Sequence, residues 1–258
     1  MYLRTISTLG CGELDLDEAR TLARRHGLDG IELRALGGTL DLPGLLKARY
    51  GQPMVLASVR DDPPLPVAGL GTSFRLVGAT AEKRTTLVRH VPWAEALGAA
   101  YLRVFDGGPG SYGPAETAEA RSNLDWWREQ RARHGWKVDL MVETHDSLLT
   151  GGDIARFASA AGGMPVLWDA HHTWRKGAED PLVTWAAIAR QVVHIHVKDS
   201  RAGQYVLPGT GEFPLAPLRA VLAREYGGTV SLEWERWWQR ELPSLDQALD
   251  AARKNDWW

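Results

Sequence analysis

The chain has 258 residues, of which 44% are hydrophobic and 24% are charged, a composition typical of a soluble globular protein with a large core. Its net charge of -2 provides no basic excess for neutralising nucleic-acid phosphates, so we expect no nucleic-acid partner. The single cysteine, Cys11, excludes an intrachain disulfide and a cysteine-based zinc cluster, and it favours a reducing, cytoplasmic location. The sequence also contains no run of about 18 apolar residues, and its start lacks the apolar core of a signal peptide, so we expect no membrane association.

Short apolar runs alternate with amphipathic stretches through the first half of the chain. The predicted strands are Leu3–Thr8, Gly30–Arg34, Met54–Val59 and Tyr101–Asp106. The predicted helices are Asp17–His26, Leu42–Arg49, Ala81–Leu97 and Pro114–His134. Residues 60–73 contain three prolines and two glycines, which predicts a long loop after the third strand.

The same alternation continues through the second half. The predicted strands are Lys137–Glu143, Pro165–Asp169, Val192–Lys198 and Thr229–Trp234. The predicted helices are Asp153–Ala161, Pro181–Arg190, Pro214–Tyr226 and Pro243–Arg253. Eight strand–helix units in about 250 residues predict a single (β/α)8 TIM barrel spanning residues 1–258. The main competitor, a doubly wound open sheet, normally has a glycine-rich phosphate loop after its first strand, and the run from Gly10 to Gly12 lacks the third glycine of that loop.

Metal-competent side chains end the last four predicted strands. Strand five ends in Glu143, strand six in Asp169, strand seven in His196 and strand eight in Glu233. Barrel active sites lie at the C-terminal ends of the strands, so these four side chains are expected to converge. Three carboxylates and one imidazole suit a single Mn, Mg, Co or Zn ion, and burying the three acids together without a cation would be costly.

Two of these positions have a competing residue nearby. His194 lies two residues before His196, and both point to the same side of the strand. The histidine nearer the C-terminal end is the better ligand, so His194 is expected one layer deeper. Glu235 competes with Glu233 in the same way, and the strand pattern favours Glu233.

Several short motifs occur in an order and spacing that resemble the xylose isomerase-like TIM-barrel superfamily, which includes sugar isomerases, ketose 3-epimerases, inosose isomerases and dehydratases, and endonuclease IV. The motifs are Gly30–Arg34, Leu102–Phe105, Leu140–His145, Asp169 with His172, His194–Asp199, Pro208–Phe213 and Gly228–Glu233.

This resemblance implies roles for individual residues. One divalent metal ion would be held by Glu143, Asp169, His196 and Glu233, with Glu143 and Glu233 also acting as an acid–base pair. The residues predicted to contact the substrate are His172, Arg201, Lys198, His145 and Trp174.

The predicted function is a metal-dependent isomerase or epimerase that transfers a proton next to a carbonyl, through an enediolate, on a carbohydrate or polyol. A dehydratase of a cyclic keto-polyol is an open alternative, because one such site supports all three reactions. An endonuclease IV-like repair enzyme is disfavoured, because strands one to four end without a histidine. A non-catalytic barrel would not need the four ligands. The reaction type, the metal and any homo-oligomeric state stay open.

Overall fold

The computed structural model describes residues 1–59 and 64–257 and contains a closed barrel of eight parallel strands. Around the barrel the strands follow the order β1-β10-β7-β6-β5-β4-β3-β2. Their bounds are Leu3–Ser7 (β1), Gly30–Leu33 (β2), Val67–Arg75 (β3), Tyr101–Phe105 (β4), Asp139–Glu143 (β5), Val166–Asp169 (β6), Val192–Val197 (β7) and Thr229–Leu232 (β10). A small antiparallel hairpin, Ser200–Arg201 (β8) with Gln204–Tyr205 (β9), follows β7. The predicted (β/α)8 barrel is therefore confirmed.

Helices connect the strands and pack their apolar sides against the barrel. Their bounds are Leu16–Arg25 (α1), Leu42–Tyr50 (α2), Pro53–Ser58 (α3), Ala81–Val88 (α4), Val91–Ala96 (α5), Pro114–His134 (α6), Gly151–Ala160 (α7), Ala170–Arg175 (α8), Pro181–Ile188 (α9), Leu215–Glu225 (α10) and Leu245–Lys254 (α11). Within the described ranges, none of these helices combines the length and apolarity needed to cross a membrane.

The third strand differs from the prediction. The segment Met54–Val59 was expected to be a strand, but the structure has a helix there, Pro53–Ser58. Pro53 lies in its first turn, where no N–H donor is needed. The strand that follows is Val67–Arg75, so the long loop predicted for residues 60–73 is also wrong over 67–73. The part of that prediction covering residues 60–63 lies outside the described residues.

The two glycines that suggested a loop have a packing role in β3 instead. A Cβ atom at Gly69 would lie 2.9 Å from Met141 Cε. At Gly71 it would lie 2.6 Å from Arg34 Cδ. Glycine inside a strand can therefore mark the close approach of large side chains rather than a turn.

The long helix predicted over Ala81–Leu97 is two helices, Ala81–Val88 and Val91–Ala96. Pro92 lies in the first turn of the second helix. Proline lacks an N–H and disrupts a helix interior, so it starts a new helix here rather than continuing the first.

The strand register sets side chains from several strands at one level near the C-terminal ends. His196 pairs with Asp169 on one side and with Ser231 on the other. Glu143 pairs with Phe105 in the same parallel arrangement. Glu233 follows Ser231 by two residues, so it points to the same side of its chain one step further along. The polar ends of these strands therefore meet at one mouth of the barrel.

Candidate metal centre

The four predicted ligands converge at the C-terminal mouth of the barrel. Glu143 and Asp169 are the last residues of β5 and β6, His196 lies in β7, and Glu233 directly follows β10. One ligand atom from each of the four lies within 4.8 Å of every other, and all four side chains are buried. Consecutive barrel strands thus bring together three carboxylates and one imidazole, as the sequence predicts.

A glutamate on the opposite side of the barrel fixes the orientation of the His196 ring. Glu32 Oε2 lies 2.8 Å from His196 Nε2 and 3.0 Å from His194 Nε2. The other ring nitrogen, His196 Nδ1, points toward the centre, 3.3 Å from Glu233 Oε2 and 3.8 Å from Glu143 Oε1. With Nε2–H donated to Glu32, His196 directs Nδ1 toward the other three side chains, as a metal ligand at this position would need.

Neighbouring charges strongly affect the pKa of His196. Burial works to lower its pKa, but the carboxylates of Glu233 and Glu32 outweigh burial and raise that pKa well above the ordinary value. Burial likewise opposes ionisation of Glu32, yet His196 and His194 hold its pKa below the usual range. A cation that binds Nδ1 would therefore release a proton from the imidazole.

Two buried basic side chains hold the carboxylates in place. Lys198 Nζ lies 2.9 Å from Asp169 Oδ2 and 2.8 Å from Glu235 Oε1, and it also donates to Glu233. Arg103 Nε lies 3.0 Å from Glu143 Oε2. Each of the three carboxylates in the four-residue cluster thus has a fixed cationic partner that limits its rotation.

The charges of the cluster fit a divalent ion. Its carboxylates are those of Glu32, Glu143, Asp169, Glu233 and Glu235. Its basic side chains are those of Arg34, Arg103 and Lys198. Before protonation of histidine is counted, two negative charges are left unbalanced. In addition, His196 Nδ1 is buried without a hydrogen-bond partner of good geometry. The donor set and this unpartnered nitrogen both suit one divalent metal ion.

A cavity of about 260 Å³ opens onto the centre. Its lining residues include Arg34, Phe105, His145, His172, Tyr205 and Trp238. The His145 and His172 rings meet edge to face, 5.0 Å apart. His172 Nδ1 lies 3.1 Å from Asp169 Oδ2, and burial lowers the pKa of His172 well below its ordinary value, so this ring is neutral at neutral pH.

The residues predicted to contact the substrate fall into two groups. His145 and His172 line the cavity, and Lys198 lies beneath it as a partner of the carboxylates. Trp174 instead packs against His171 and Phe213, and Arg201 donates to the carbonyl oxygen of Thr210. Neither Trp174 nor Arg201 lines this cavity, so their placement gives no support to the predicted contacts.

Three charged residues of the site had no role assigned from the sequence. Glu32 lies in β2, Arg34 directly follows it, and Arg103 lies in β4; all three are buried. Glu32 and Arg34 are two residues apart, so they lie on the same face of their strand. Arg103 lies among apolar residues of β4. A charged residue at an inward position of a buried strand is the signal that could have identified them, because such a charge needs a partner.

The fold and this cluster define a TIM barrel with a buried carboxylate–imidazole centre at the C-terminal ends of its strands. The family model for xylose isomerase-like TIM barrels matches residues 21–255. The chain therefore belongs to the xylose isomerase-like TIM-barrel family.

Several solved structures have a similar fold. The probable 3-DHS dehydratase AsbF of Bacillus anthracis has a TM-score of 0.76 at 17% identity, and the alignment covers 98% of each chain. A D-tagatose 3-epimerase-like protein has a TM-score of 0.67 at 14% identity, again with 98% of each chain covered. The IOLI protein, solved with a zinc atom, has a TM-score of 0.68 at 15% identity, with 98% of this chain and 96% of that chain covered. No curated protein sequence matches the chain.

Proposed function

We propose that the protein is a divalent-metal-dependent isomerase or epimerase that transfers a proton next to the carbonyl of a carbohydrate or polyol derivative. The observation that carries the proposal is the convergence of Glu143, Asp169, His196 and Glu233 within 4.8 Å beside an open cavity. A bound metal ion would polarise the carbonyl and make the adjacent C–H more acidic. The zinc atom in the structurally similar IOLI protein is consistent with such a site.

Glu143 and Glu233 are the proposed acid–base pair. Glu143 ends β5 and Glu233 follows β10, with β6 and β7 between these strands in the barrel, so the two carboxylates reach the cavity from different sides. Burial works to raise both pKa values, but Arg103 outweighs it at Glu143, and His196 with Lys198 outweighs it at Glu233. Both carboxylates are therefore ionised at neutral pH, as a base that removes a proton must be.

Two further residues position the reacting groups. Lys198 holds Asp169 and Glu233 through its ammonium group, which keeps Glu233 from rotating out of the cavity. His172, neutral and fixed by Asp169, presents an uncharged imidazole to a substrate hydroxyl or carbonyl oxygen.

Solvent isotope exchange tests this proposal. A thermal-shift screen of ketoses, inososes and keto acids with the Mn²⁺-loaded protein would first identify a substrate. Turnover in deuterated water should then place deuterium on the carbon beside the carbonyl, because the removed proton exchanges on a carboxylate. The conservative variants Glu143→Gln and Glu233→Gln should lose turnover more completely than they lose substrate binding. Product that carries no deuterium would favour a hydride shift and contradict the acid–base roles.

A dehydratase is the second candidate, favoured by a further proton-transfer pair at the cavity. His145 lines the cavity, and its Nδ1 lies 2.9 Å from Asp146 Oδ1. Burial works to lower the pKa of His145, but Asp146 and Glu143 outweigh it and raise that pKa. A protonated imidazole can supply the proton that a leaving hydroxyl group needs. Formation of an unsaturated product with ultraviolet absorbance, lost in His145→Gln, would select dehydration; a saturated product would select isomerisation.

A further inference from the structure

Arg34 is a buried cation without an anionic partner. Its side chain lines the cavity, and the residue is only 4% exposed. Its Nη2 donates to Ser73 Oγ at 3.1 Å, whereas Nη1 is buried and has no hydrogen-bond partner. Within residues 1–59 and 64–257, no carboxylate oxygen lies within 4.0 Å of this guanidinium.

An unpartnered guanidinium at this depth is unfavourable for the folded protein alone. Burial, followed by repulsion from Arg103, lowers the pKa of Arg34 to about 9, although the carboxylates of Glu143, Glu233 and Glu32 act in the opposite direction. The group therefore still carries its charge at neutral pH. Burying a charge without a partner opposes folding, and a buried hydrogen-bond donor left without an acceptor adds to this penalty. An anion that enters the cavity would therefore give Arg34, which lines it, the ionic partner that it lacks.

The barrel provides space for this arginine and for its neighbour. A Cβ atom at Gly71 would lie 2.6 Å from Arg34 Cδ and 2.9 Å from Arg103 Nη2, so only glycine leaves room for both side chains. Arg103 already has an anionic partner, because its Nε lies 3.0 Å from Glu143 Oε2. Arg34 is therefore the base of this pair that has no ion-pair partner within 4.0 Å among the described residues.

The charge balance indicates a ligand with one negative charge. The five carboxylates and the three buried bases, Arg34 included, carry a net charge of two negative units, which one divalent ion in the centre would neutralise. Lys176, an exposed residue in the cavity lining, adds one further positive charge. A carboxylate supplies one negative charge and matches the planar guanidinium, whereas a phosphate dianion would leave an excess negative charge.

We propose that Arg34 binds a carboxylate of the substrate, so that the enzyme acts on a keto or hydroxy acid rather than on a neutral sugar. This inference rests on the proposed function for the reacting end of the same molecule, which would lie toward Glu143 and Glu233. Arg34 would then select the substrate by its charge, and the carboxylate would be the ionic partner that this guanidinium lacks.

Matched probes test the preference for a carboxylate. D-glucose, D-glucuronate and D-glucose 6-phosphate share a sugar ring and carry a neutral, a carboxylate and a phosphate end, respectively. Their affinities would be measured by calorimetry, with and without Mn²⁺. We expect D-glucuronate to bind about tenfold or more tightly than D-glucose, as a charge-assisted hydrogen bond requires, and more tightly than D-glucose 6-phosphate. Equal affinities for glucose and glucuronate, stronger binding of the phosphate, or no binding of glucuronate would each overturn the proposal.

Variants then assign the preference to Arg34. Arg34→Met should remove the advantage of glucuronate over glucose, Arg34→Lys should keep part of it, and Arg121→Met, on the exposed face of α6, should keep all of it. A cooperative thermal transition of Arg34→Met, measured with Mn²⁺ present, establishes that the variant folds. A glucuronate preference that persists in Arg34→Met would contradict the assignment. If the wild-type protein shows an Arg34-dependent preference for glucuronate but binds no Mn²⁺, the proposed metal-dependent function fails while the carboxylate site stands.

Discussion

The two halves of the barrel contribute different chemistry to one site. Strands β5, β6, β7 and β10, the C-terminal half-barrel, supply every member of the four-residue ligand cluster. Strands β1 to β4, the N-terminal half-barrel, supply the buried residues Glu32 and Arg103 and lead into Arg34. The C-terminal half thus carries the proposed metal ligands together with Lys198, which contacts two of them. The N-terminal half carries Glu32 and Arg103, which contact His196 and Glu143. Strands that contribute no candidate metal ligand thus still set the orientation and charge of those that neighbouring strands contribute.

The largest expected effect comes from removing a ligand in the C-terminal half-barrel. Asp169→Asn should weaken Mn²⁺ binding by more than about 100-fold, beyond the loss typical of an outer partner, because a negative donor becomes neutral. Calorimetric titration of the metal gives the affinity, and Asp125→Asn on α6 is the matched exposed control. An affinity within tenfold of the wild type would remove Asp169 from the proposed ligand set.

An intermediate effect is expected in the N-terminal half-barrel. Glu32→Gln should weaken Mn²⁺ binding by about 10–100-fold, because His196 loses the carboxylate that fixes its Nε2–H. Nitrogen-15 NMR of the histidine rings should show a changed tautomer balance at His196. Glu129→Gln, exposed on α6, should change neither measurement. Unchanged metal affinity in Glu32→Gln would show that the N-terminal half-barrel does not affect metal binding through Glu32.

A smaller effect is expected at His171, which precedes His172 in the C-terminal half-barrel. His171 lies outside the centre, with Nε2 2.8 Å from Ser200 Oγ, and burial lowers its pKa to about 3. Because the folded pKa lies below the unfolded value, the contribution to stability is complete above about pH 6.5 and is lost as the pH falls, by about 1.4 kcal/mol per pH unit.

Urea unfolding at pH 7 and pH 5 checks this expectation. His171→Phe should lose about 2 kcal/mol less stability between these two pH values than the wild type. His134→Phe, at an exposed site, should follow the wild type. Parallel losses in the wild type and His171→Phe would show that His171 is not the residue that titrates.

The smallest effect is expected at Arg201. Its guanidinium donates to the Thr210 carbonyl outside the cavity, so Arg201→Ala should leave the Mn²⁺ affinity unchanged and alter KM by less than about threefold, as for a surface change of under 0.5 kcal/mol. A large rise in KM would restore the substrate contact predicted from the sequence.

Much of the fold follows from the sequence, because strand and helix patterns are local. Seven of the predicted barrel strands overlap observed ones, and the error at the third strand has a local cause: Val67–Arg75 contains two glycines, which sequence patterns associate with turns. Their actual role depends on Met141 and Arg34, which reach them from neighbouring strands. No local pattern carries that information.

The candidate site also contains residues that the sequence predicts and residues that it does not. Glu143 and Asp169 were predicted because each ends a recognisable strand. Glu32 was not assigned a role, because its partner His196 lies 164 residues away and meets it only across the closed barrel. Residues that end strands can thus be identified before the fold is known, whereas pairs that span the barrel interior require the structure.

The ammonium group of Lys198 has a consequence for how the protein is made. It bridges Asp169, Glu233 and Glu235 and so provides an internal counter-ion for three carboxylates of the cluster. Folding would therefore not depend on the proposed metal ion, and we expect the barrel to form before any ion arrives. Chelation should leave the circular dichroism spectrum unchanged, and added Mn²⁺ should restore binding without refolding. In a cell short of metal, folded protein without the ion would accumulate. The supply of the ion, and not the synthesis of the chain, would then set how many copies bind it.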